Sequence, residues 1–408
     1  MSLFVQKRRK ELGYTQQSLA EKLNVSFQAV SKWENGVGYP NTEILIKLSK
    51  ILEVSVDELL NGIEEEKFTY KKSGVDVSYT DSIKNDIKEY LVTNDKRVLN
   101  GLGPFASLYD IKFDNIKDPV LVLKSEEPGS KQLLATKYGY MESVCHDMIN
   151  HLVNDIVVMG AKPLAVLDTI VCGSVESETI KTIIKGISES CKENECSLVG
   201  GETSIQPKVI EKGTYILTSS IAGIIDKSNI IDGSKIKEGD VIIAISSNGI
   251  HTNGYTLVRM LLEKMPQIEN EIIDGKTFIE NIMKPHEAYY KSLKELLNKN
   301  LINGMAHITG GGIEGNICRI VPDNLSAEID LSKIKVLPIF KFIKKIGDIS
   351  DNEMLSTFNC GVGITLVTSE YNSKTIINHI SQYNECYIIG KVTKNKKKVS
   401  FINNLKWD

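Results

Sequence analysis

The stretch Ala306-His307-Ile308-Thr309-Gly310-Gly311-Gly312 decides how the larger part of this chain is read. A short apolar run leads into three glycines whose backbone amides no side chain obstructs, and a helix starting there would direct its positive end at an anion. A second run, Ser246-Ser247-Asn248-Gly249-Ile250-His251-Thr252-Asn253-Gly254, also ends at a helix start and mixes amide, hydroxyl and imidazole donors. His251, Asn253, His307, Thr309, Gly310 and Gly311 are therefore candidates for a phosphate or nucleotide site. A tight turn is the alternative for either loop taken alone.

Working outward, strand-like runs fall at 120–123, 164–170, 214–225, 240–246 and 362–368, with helical patterns at 82–91, 144–159, 178–193, 254–264 and 288–299. This alternation predicts open sheets backed by helices, a two-layer α/β architecture. The second half begins near Lys235.

The carboxylates give a second signal. Asp147 and Asp155 stand eight residues apart on one predicted helix, so they share a face. A solvated face is the alternative, but Asn154-Asp155 lies in an apolar run, where a charge needs a partner or a metal. With Glu202, after Gly200-Gly201, and Glu126, ahead of Gly129-Ser130-Lys131, these acids are candidates to hold Mg²⁺ against ATP phosphates.

Residues 1–62 read differently. Helix one is expected from Ser2 to Leu12 and ends at Gly13; Thr15 caps a second helix, and Ser26 caps a third over 27–35. In the third, Val30 and Trp33 point inward while Gln28, Ser31 and Lys32 point outward, side chains suited to base edges and phosphates in a major groove. Two further helices follow, near 42–52 and 56–60. This all-α segment resembles the helix-turn-helix family of phage repressors and xenobiotic-response regulators, through Thr15-Gln16, Leu19-Ala20, Val25-Ser26, Val30-Ser31, Trp33-Glu34, Gly36, Pro40, Leu48 and Asp57-Glu58-Leu59-Leu60. The resemblance implies that Gln28, Ser31 and Lys32 contact double-stranded DNA directly, with Gln16 and Gln17 on its backbone, and that a dimer binds a two-fold related site. The alternative is a module turned to protein contact.

A net charge of -3 over 408 residues gives no general attraction to nucleic acid, so any DNA contact must be local; Lys7-Arg8-Arg9-Lys10 is one such basic run. The seven cysteines, among them Cys145, Cys172, Cys191, Cys196 and Cys318, lack paired metal spacing and suggest buried thiols in a reducing cytoplasm. No early hydrophobic stretch is long enough for secretion or membrane spanning. The polar run Glu64-Glu65-Glu66-Lys67 marks a boundary near 61–67, giving segments 1–62, 68–234 and 235–408.

From residue 68 onward the chain resembles phosphoribosylformylglycinamidine cyclo-ligase, or AIR synthetase, through Tyr70-Lys71, Gly74-Val75-Asp76, Gly101-Leu102-Gly103, Asn154-Asp155, Gly160-Ala161, Pro163, Ser197-Leu198-Val199-Gly200-Gly201-Glu202-Thr203, His251, Asn253-Gly254-Tyr255, the 306–312 stretch and Thr357-Phe358-Asn359-Cys360-Gly361-Val362-Gly363. The resemblance implies PurM-like two-layer α/β domains, a homodimer formed through N-terminal strands, and use of ATP and Mg²⁺ to close an imidazole ring. It places Lys71, Asp155, His251 and His307 as catalytic, and Lys131, Gly129, Asn154, Gly200, Gly201, Asn253, Thr309, Gly310 and Gly311 around the ligand. The family's Asp-Gly-Val-Gly-Thr-Lys loop, however, stands here as Glu126-Glu127-Pro128-Gly129-Ser130-Lys131, more acidic and stiffer. Ser204-Ile205-Gln206-Pro207 lacks an expected acid, Ile216 replaces another, and His286-Glu287 replaces threonine and arginine. The reading that follows is a transcription regulator whose AIR-synthetase-like part dimerises and senses ATP or a purine-pathway ribotide; the alternative is an active cyclo-ligase carrying its own DNA-binding module.

Overall fold

The computed structural model describes residues 2–61, 69–101 and 104–407. The expected boundary at 62–67, and Leu102-Gly103 of the Gly101 motif, lie outside the described residues. The chain divides into two compact units, Met1–Ser73 and Gly74–Asp408.

In the first unit five helices follow one another: α1 (Ser2–Glu11), α2 (Gln16–Leu23), α3 (Phe27–Glu34), α4 (Thr42–Ile51) and α5 (Val56–Asn61). Gly13 has the left-handed backbone (φ 75°) that closes α1. Thr15 and Ser18 form a reciprocal capping box on α2, and the Ser26 hydroxyl accepts from the Ala29 amide to cap α3. The apolar positions Val5, Leu19, Leu23, Val30, Trp33, Leu48, Leu52 and Leu59 make one core. A buried ion pair locks it: Arg9 grips Glu34 through two hydrogen bonds of 2.5 and 3.0 Å, and the Gln16 amide donates to Glu34 at 2.7 Å.

The second unit contains two main sheets and their helices. After α6 (Val77–Ile87), a four-stranded sheet is built from β1 (Pro119–Glu126), β2 (Lys162–Cys172), β3 (Ser197–Ile205) and β4 (Tyr215–Asp226) in the order β1-β4-β2-β3. Helices α7 (Lys131–Tyr138) and α8 (Met141–Val157) separate β1 from β2, and α9 (Ser177–Glu193) makes the crossover to the parallel β3. Next come β5 (Val241–Ser246), α10 (Tyr255–Lys264), a hairpin of β6 (Ile272–Ile273) and β7 (Lys276–Thr277), α11 (Phe278–Ile282), α12 (Tyr290–Leu293), β8 (Gly304–His307) and α13 (Gly312–Ile317). The chain continues through β9 (Ser326–Asp330), α14 (Pro338–Gly347), α15 (Asp351–Thr357), β10 (Val362–Thr368), α16 (Glu370–Ile380), β11 (Cys386–Thr393) and β12 (Val399–Ile402). The second sheet runs β12-β9-β11-β5-β10-β8, antiparallel except for β12 beside β9. The two sheets change over between Asp226 and Val241, the interval that holds Lys235.

The α/β alternation is as the sequence predicts, but helices α7, α11 and α14–α16 stand beyond the expected ones. The expected helix at 82–91 starts earlier, at Val77, because Asp76 caps it. The expected helix at 288–299 shrinks to Tyr290–Leu293, since the preceding backbone is tied to α8 instead of winding. Strands β3, β8, β9, β11 and β12 lack the long β-branched alternation that betrays a strand; β3 even carries two glycines at its centre. Six of the seven cysteines are buried, and Cys318 is half-buried.

Replacing Glu34 by alanine strands Arg9 without its partner, and we expect a loss of about 3–5 kcal/mol in the helical module. Burial pushes the Glu34 carboxyl up, but the bonds from Arg9 and Gln16 outweigh it and hold the group below its ordinary value. Its contribution is therefore full above roughly pH 4.3 and is lost as pH falls through the lowered folded value. Urea unfolding of the full chain, followed by hydrogen exchange at amides of α1–α3, reads both effects; an unchanged E34A profile refutes the expectation.

Candidate functional site

Helix α8 carries two stripes. Val144, Met148, Leu152 and Ile156 are buried in the core, while Asp147, Asn150, His151, Asn154 and Asp155 recur at helical spacing on another face. That polar face meets the extended backbone between Lys284 and Tyr289. The His286 amide donates to Asp147 at 2.7 Å, the Asn150 side-chain amide to the His286 carbonyl at 2.7 Å, and that of Asn154 to the Glu287 carbonyl at 2.8 Å. The Tyr289 amide returns a bond of 3.0 Å to Asn154. A segment with no sheet or helix of its own is thus satisfied by one helix face.

Lys131 is fully buried at the start of α7. Its ammonium lies 2.7 Å from Asp147, and it donates to the carbonyls of Lys284 at 2.7 Å and His251 at 3.3 Å. Its three protons therefore all have protein acceptors. Burial drives the amine down and the Asp147 carboxyl up, and the opposite charges hold the pair together.

Four histidines gather beside this pair. The His307 ring, at the end of β8, places Nδ1 2.7 Å from Asp155 and Nε2 2.9 Å from His286 Nε2. His251 stacks on His286 with ring centroids 3.9 Å apart, and His151 lies 5.1 Å from His307 and 5.3 Å from His286. With Asp155 accepting at Nδ1, His307 takes the tautomer that leaves a lone pair on Nε2, and His286 donates to it. Burial lowers His251 and His286 well below the ordinary histidine value and, helped by His307, brings His151 down to about 4. Burial raises the Asp155 carboxyl, but the bond from His307 and the charges of His307, His151 and Lys124 hold it far below its usual range. On the far side Lys124 spans Glu126 at 3.0 Å and Asp155 at 3.1 Å.

Two loops bring His251 and His307 here. Asn359 holds the first: its side chain takes a bond from the Ser247 hydroxyl and donates to the carbonyls of Gly249 and Ile250. His251 itself sits at φ 65°, a strained backbone for a residue with a Cβ. Asn316 holds the second by donating to the carbonyls of Thr309, Gly310 and Gly312. The loops meet where a Cβ on Gly310 would lie 3.1 Å from Asn253 Oδ1, which brings Asn253 beside the Thr309-Gly310-Gly311 turn. Gly129 approaches the same place, 3.7 Å from the Thr252 carbonyl by the same measure.

The four acids expected to share a metal do not converge within the chain. Asp147 is paired with Lys131, and Glu126 and Asp155 share Lys124. Glu126, Ser219, Asp168 and Gly201 are in register across the sheet, so Glu202 is one residue out of step and faces the other side. Gly200 and Gly201 accordingly lie within edge strand β3 and not in a phosphate loop; Gly201 is required because a Cβ would fall 2.0 Å from Asp168 Oδ1. Lys71, exposed, belongs to the unit of the helical module. Sequence reasoning missed Lys124 and His286, which only the folded chain brings to Asp155 and to His307, and His151, one helical turn before Asp155 on α8. It also missed Asp168, an acid in an apolar strand that lines a cavity of about 510 Å³ beside Glu202 and is pushed up to about 7 by burial and Glu202.

In the helical module Gln28 and Lys32 are exposed on α3 and Ser31 is half-buried. Gln17 is exposed but bonded to Glu21, and Gln16 is committed to Glu34.

Comparison with known proteins accounts for both units. Profiles described as AIR synthase related protein, N-terminal domain, and AIR synthase related protein, C-terminal domain, match residues 121–225 and 237–403, and a helix-turn-helix profile matches 5–59. A phosphoribosylformylglycinamidine cyclo-ligase of Bacillus cytotoxicus is 39% identical over 330 residues, 80% of this chain and 95% of that one. The chain belongs to the phosphoribosylformylglycinamidine cyclo-ligase family. A cyclo-ligase of Streptococcus agalactiae is 37% identical over 336 residues, covering 81% of this chain and 97% of its own. Among solved structures, thiamine-monophosphate kinase from Stenotrophomonas maltophilia aligns with TM-score 0.58 at 12% identity, over 82% of this chain and 98% of that one. The hydrogenase maturation protein HypE of E. coli aligns with TM-score 0.59 at 14% identity, over 79% and 93%. These last two share the fold. The chain is thus a PurM-like protein of the cyclo-ligase family fused to an N-terminal helix-turn-helix domain, and among the described residues no helix is long and apolar enough to cross a membrane.

Because Asn154 satisfies both Glu287 and Tyr289, Asn154→Ala is expected to cost about 1–3 kcal/mol for each orphaned backbone group. Thermal unfolding of the variant reads the loss, and a melting temperature within error of the parent refutes it.

Proposed function

We propose that the chain is an ATP-dependent ring-closing enzyme of the cyclo-ligase kind, acting on a formylglycinamidine ribotide, and that its helix-turn-helix module brings a homodimer of it to double-stranded DNA. The observation that carries this reading is a match at 37–39% identity over nearly the whole length of cyclo-ligases. It favours turnover over the sensor role expected from the altered loop. The chemistry needs a phosphoryl group placed on the formyl oxygen from ATP, attack of an amidine nitrogen on that carbon, and departure of phosphate with the oxygen. The attacking nitrogen must shed a proton. His307, oriented by Asp155 at 2.7 Å and carrying its lone pair on Nε2, is the group suited to take it. The exposed amides of Gly310 and Gly311 are unobstructed toward an anion. The acids expected to hold Mg²⁺ are dispersed, and no step is assigned to that ion.

A homodimer is supported by the face of the four-stranded sheet away from α8. Leu121, Leu123, Leu167 and Ile216 are exposed there, an apolar surface of the sort that marks an association site. One specific observation favours the second reading, a ligand sensor without turnover: Lys131 has every proton engaged within the protein, leaving none for a phosphate.

Incubation with ATP, Mg²⁺ and the formylglycinamidine ribotide should yield aminoimidazole ribotide over many turnovers. Asp155→Asn and His307→Ala should each lower kcat by about 10²–10⁴-fold. Ribotide binding without product, in a protein that is folded and dimeric, overturns the enzyme reading in favour of the sensor. For the module, Lys32→Ala and Gln28→Ala are expected to weaken binding to selected operator DNA, Lys32→Ala with a shallower salt dependence. Unchanged affinity in both removes α3 as the recognition helix.

A further inference from the structure

His286 stands where the resemblance leads one to expect threonine, and it completes a donor set that the ring-closing chemistry does not call for. Three imidazoles from separate parts of the second unit converge: His251 from the loop after β5, His286 from the segment held by α8, and His307 from the end of β8. All three are buried, with exposures of 2%, 1% and 5%, and one ring nitrogen from each lies within 4.8 Å of the others. Both nitrogens of His251 and Nδ1 of His286 have no hydrogen-bond partner among the described residues. A buried imidazole left this way loses its solvation without replacement, so the cluster is short of an electrophile.

We propose that His251, His286 and His307 bind a divalent transition-metal ion of the zinc class, with Asp155 as the outer partner that orients His307. Imidazole nitrogen is the ligand type such ions favour over the hard oxygen donors that suit Mg²⁺. Three histidines leave a fourth tetrahedral position open to water or a ligand atom. The bond from His307 Nδ1 to Asp155 at 2.7 Å is the carboxylate–histidine arrangement that fixes the metal-binding tautomer. The present 2.9 Å approach of His286 Nε2 to His307 Nε2 is an N–H···N contact, which binding replaces as His286 gives up that proton or turns its ring to offer Nδ1. The nearby charges are compatible: Lys131, beside the His251 carbonyl, is neutralised by Asp147, and Lys124 sits on the opposite side of Asp155. The alternative donor group His151, Asp155 and His307 is less suited, because the Lys124 ammonium already engages its one carboxylate, Asp155. The binding claim stands apart from the ring-closing reading; only its consequence rests on that reading. An ion on Nε2 of His307 removes the lone pair that would accept the substrate proton, so the loaded protein should be inhibited.

Co²⁺, a spectroscopic stand-in for Zn²⁺, tests the site on the full chain stripped of metal with a chelator. One equivalent per chain should give the intense visible absorption of a tetrahedral ion, Zn²⁺ should displace it, and either ion should raise Tm. His286→Thr and, as a second variant, His286→Gln should abolish the band while leaving the metal-free Tm within a few degrees. Asp155→Asn should weaken binding by about 10–100-fold. Absence of a band and of a Tm shift in the unaltered protein overturns the proposal. So does undiminished Co²⁺ affinity in both folded His286 variants. These readouts need no turnover, so a protein that is inactive when metal-free yet binds the ion as expected defeats the ring-closing reading alone, and one that is active but binds no ion defeats only the metal site.

Discussion

The backbone from Lys284 to Tyr289 runs through the interior without a sheet or helix to receive its polar groups; the polar face of α8 takes up the amides of His286 and Tyr289 and the carbonyls of His286 and Glu287, while Lys131 and Asn248 donate to the carbonyls of Lys284 and Pro285. Each buried amide or carbonyl left unpaired costs about 1–3 kcal/mol, so the ladder from Asp147 through Asn150 to Asn154 decides whether the second unit can close. Its effect reaches the chemistry. By fixing residues 284–289 against α8, the ladder sets His286 beside His307 and His251, and it gives Lys131 the Lys284 carbonyl as an acceptor.

This changes what the retained residues mean. Asp147, Asn154 and Lys131 look in the sequence like the remains of a phosphate and metal site. In the folded chain they bond to one another, to carbonyls or to amides, and a protein that had stopped using ATP would still need them. Their presence is an argument about folding. The residues that discriminate among functions are those whose groups are left over after the framework is satisfied: both ring nitrogens of His251, Nδ1 of His286 and the exposed turn at Gly310 and Gly311.

The fold was legible where one periodicity dominates. The α3 pattern, with Val30 and Trp33 inward, and the apolar run of β10 need only local information, and β10 falls at the expected residues. The loops that carry His251 and His307 stood out in the sequence, but the pairings did not. His307 meets Asp155 across 152 positions and Lys131 meets the Lys284 carbonyl across 153, separations at which no spacing rule operates. The setting of Glu202 was hidden for a simpler reason: a glycine pair looks the same in a strand as in a loop, and only the register of β3 shows Gly201, not Glu202, opposite Asp168.

His307 Nε2 is the point at which the competing demands meet. Asp155 holds the ring in the tautomer that leaves a lone pair on Nε2 for a proton, and the same tautomer is the one a metal ion needs. One lone pair cannot serve a proton in transfer and a coordinated ion together. Occupancy by one therefore competes with the other. The exchange of threonine for His286 tilts that competition toward metal, because it supplies a third buried nitrogen at a place where the backbone is already held by Asp147 and Asn150. A side chain on so constrained a segment loses little further freedom on coordination, which is the condition under which a single substitution creates a site.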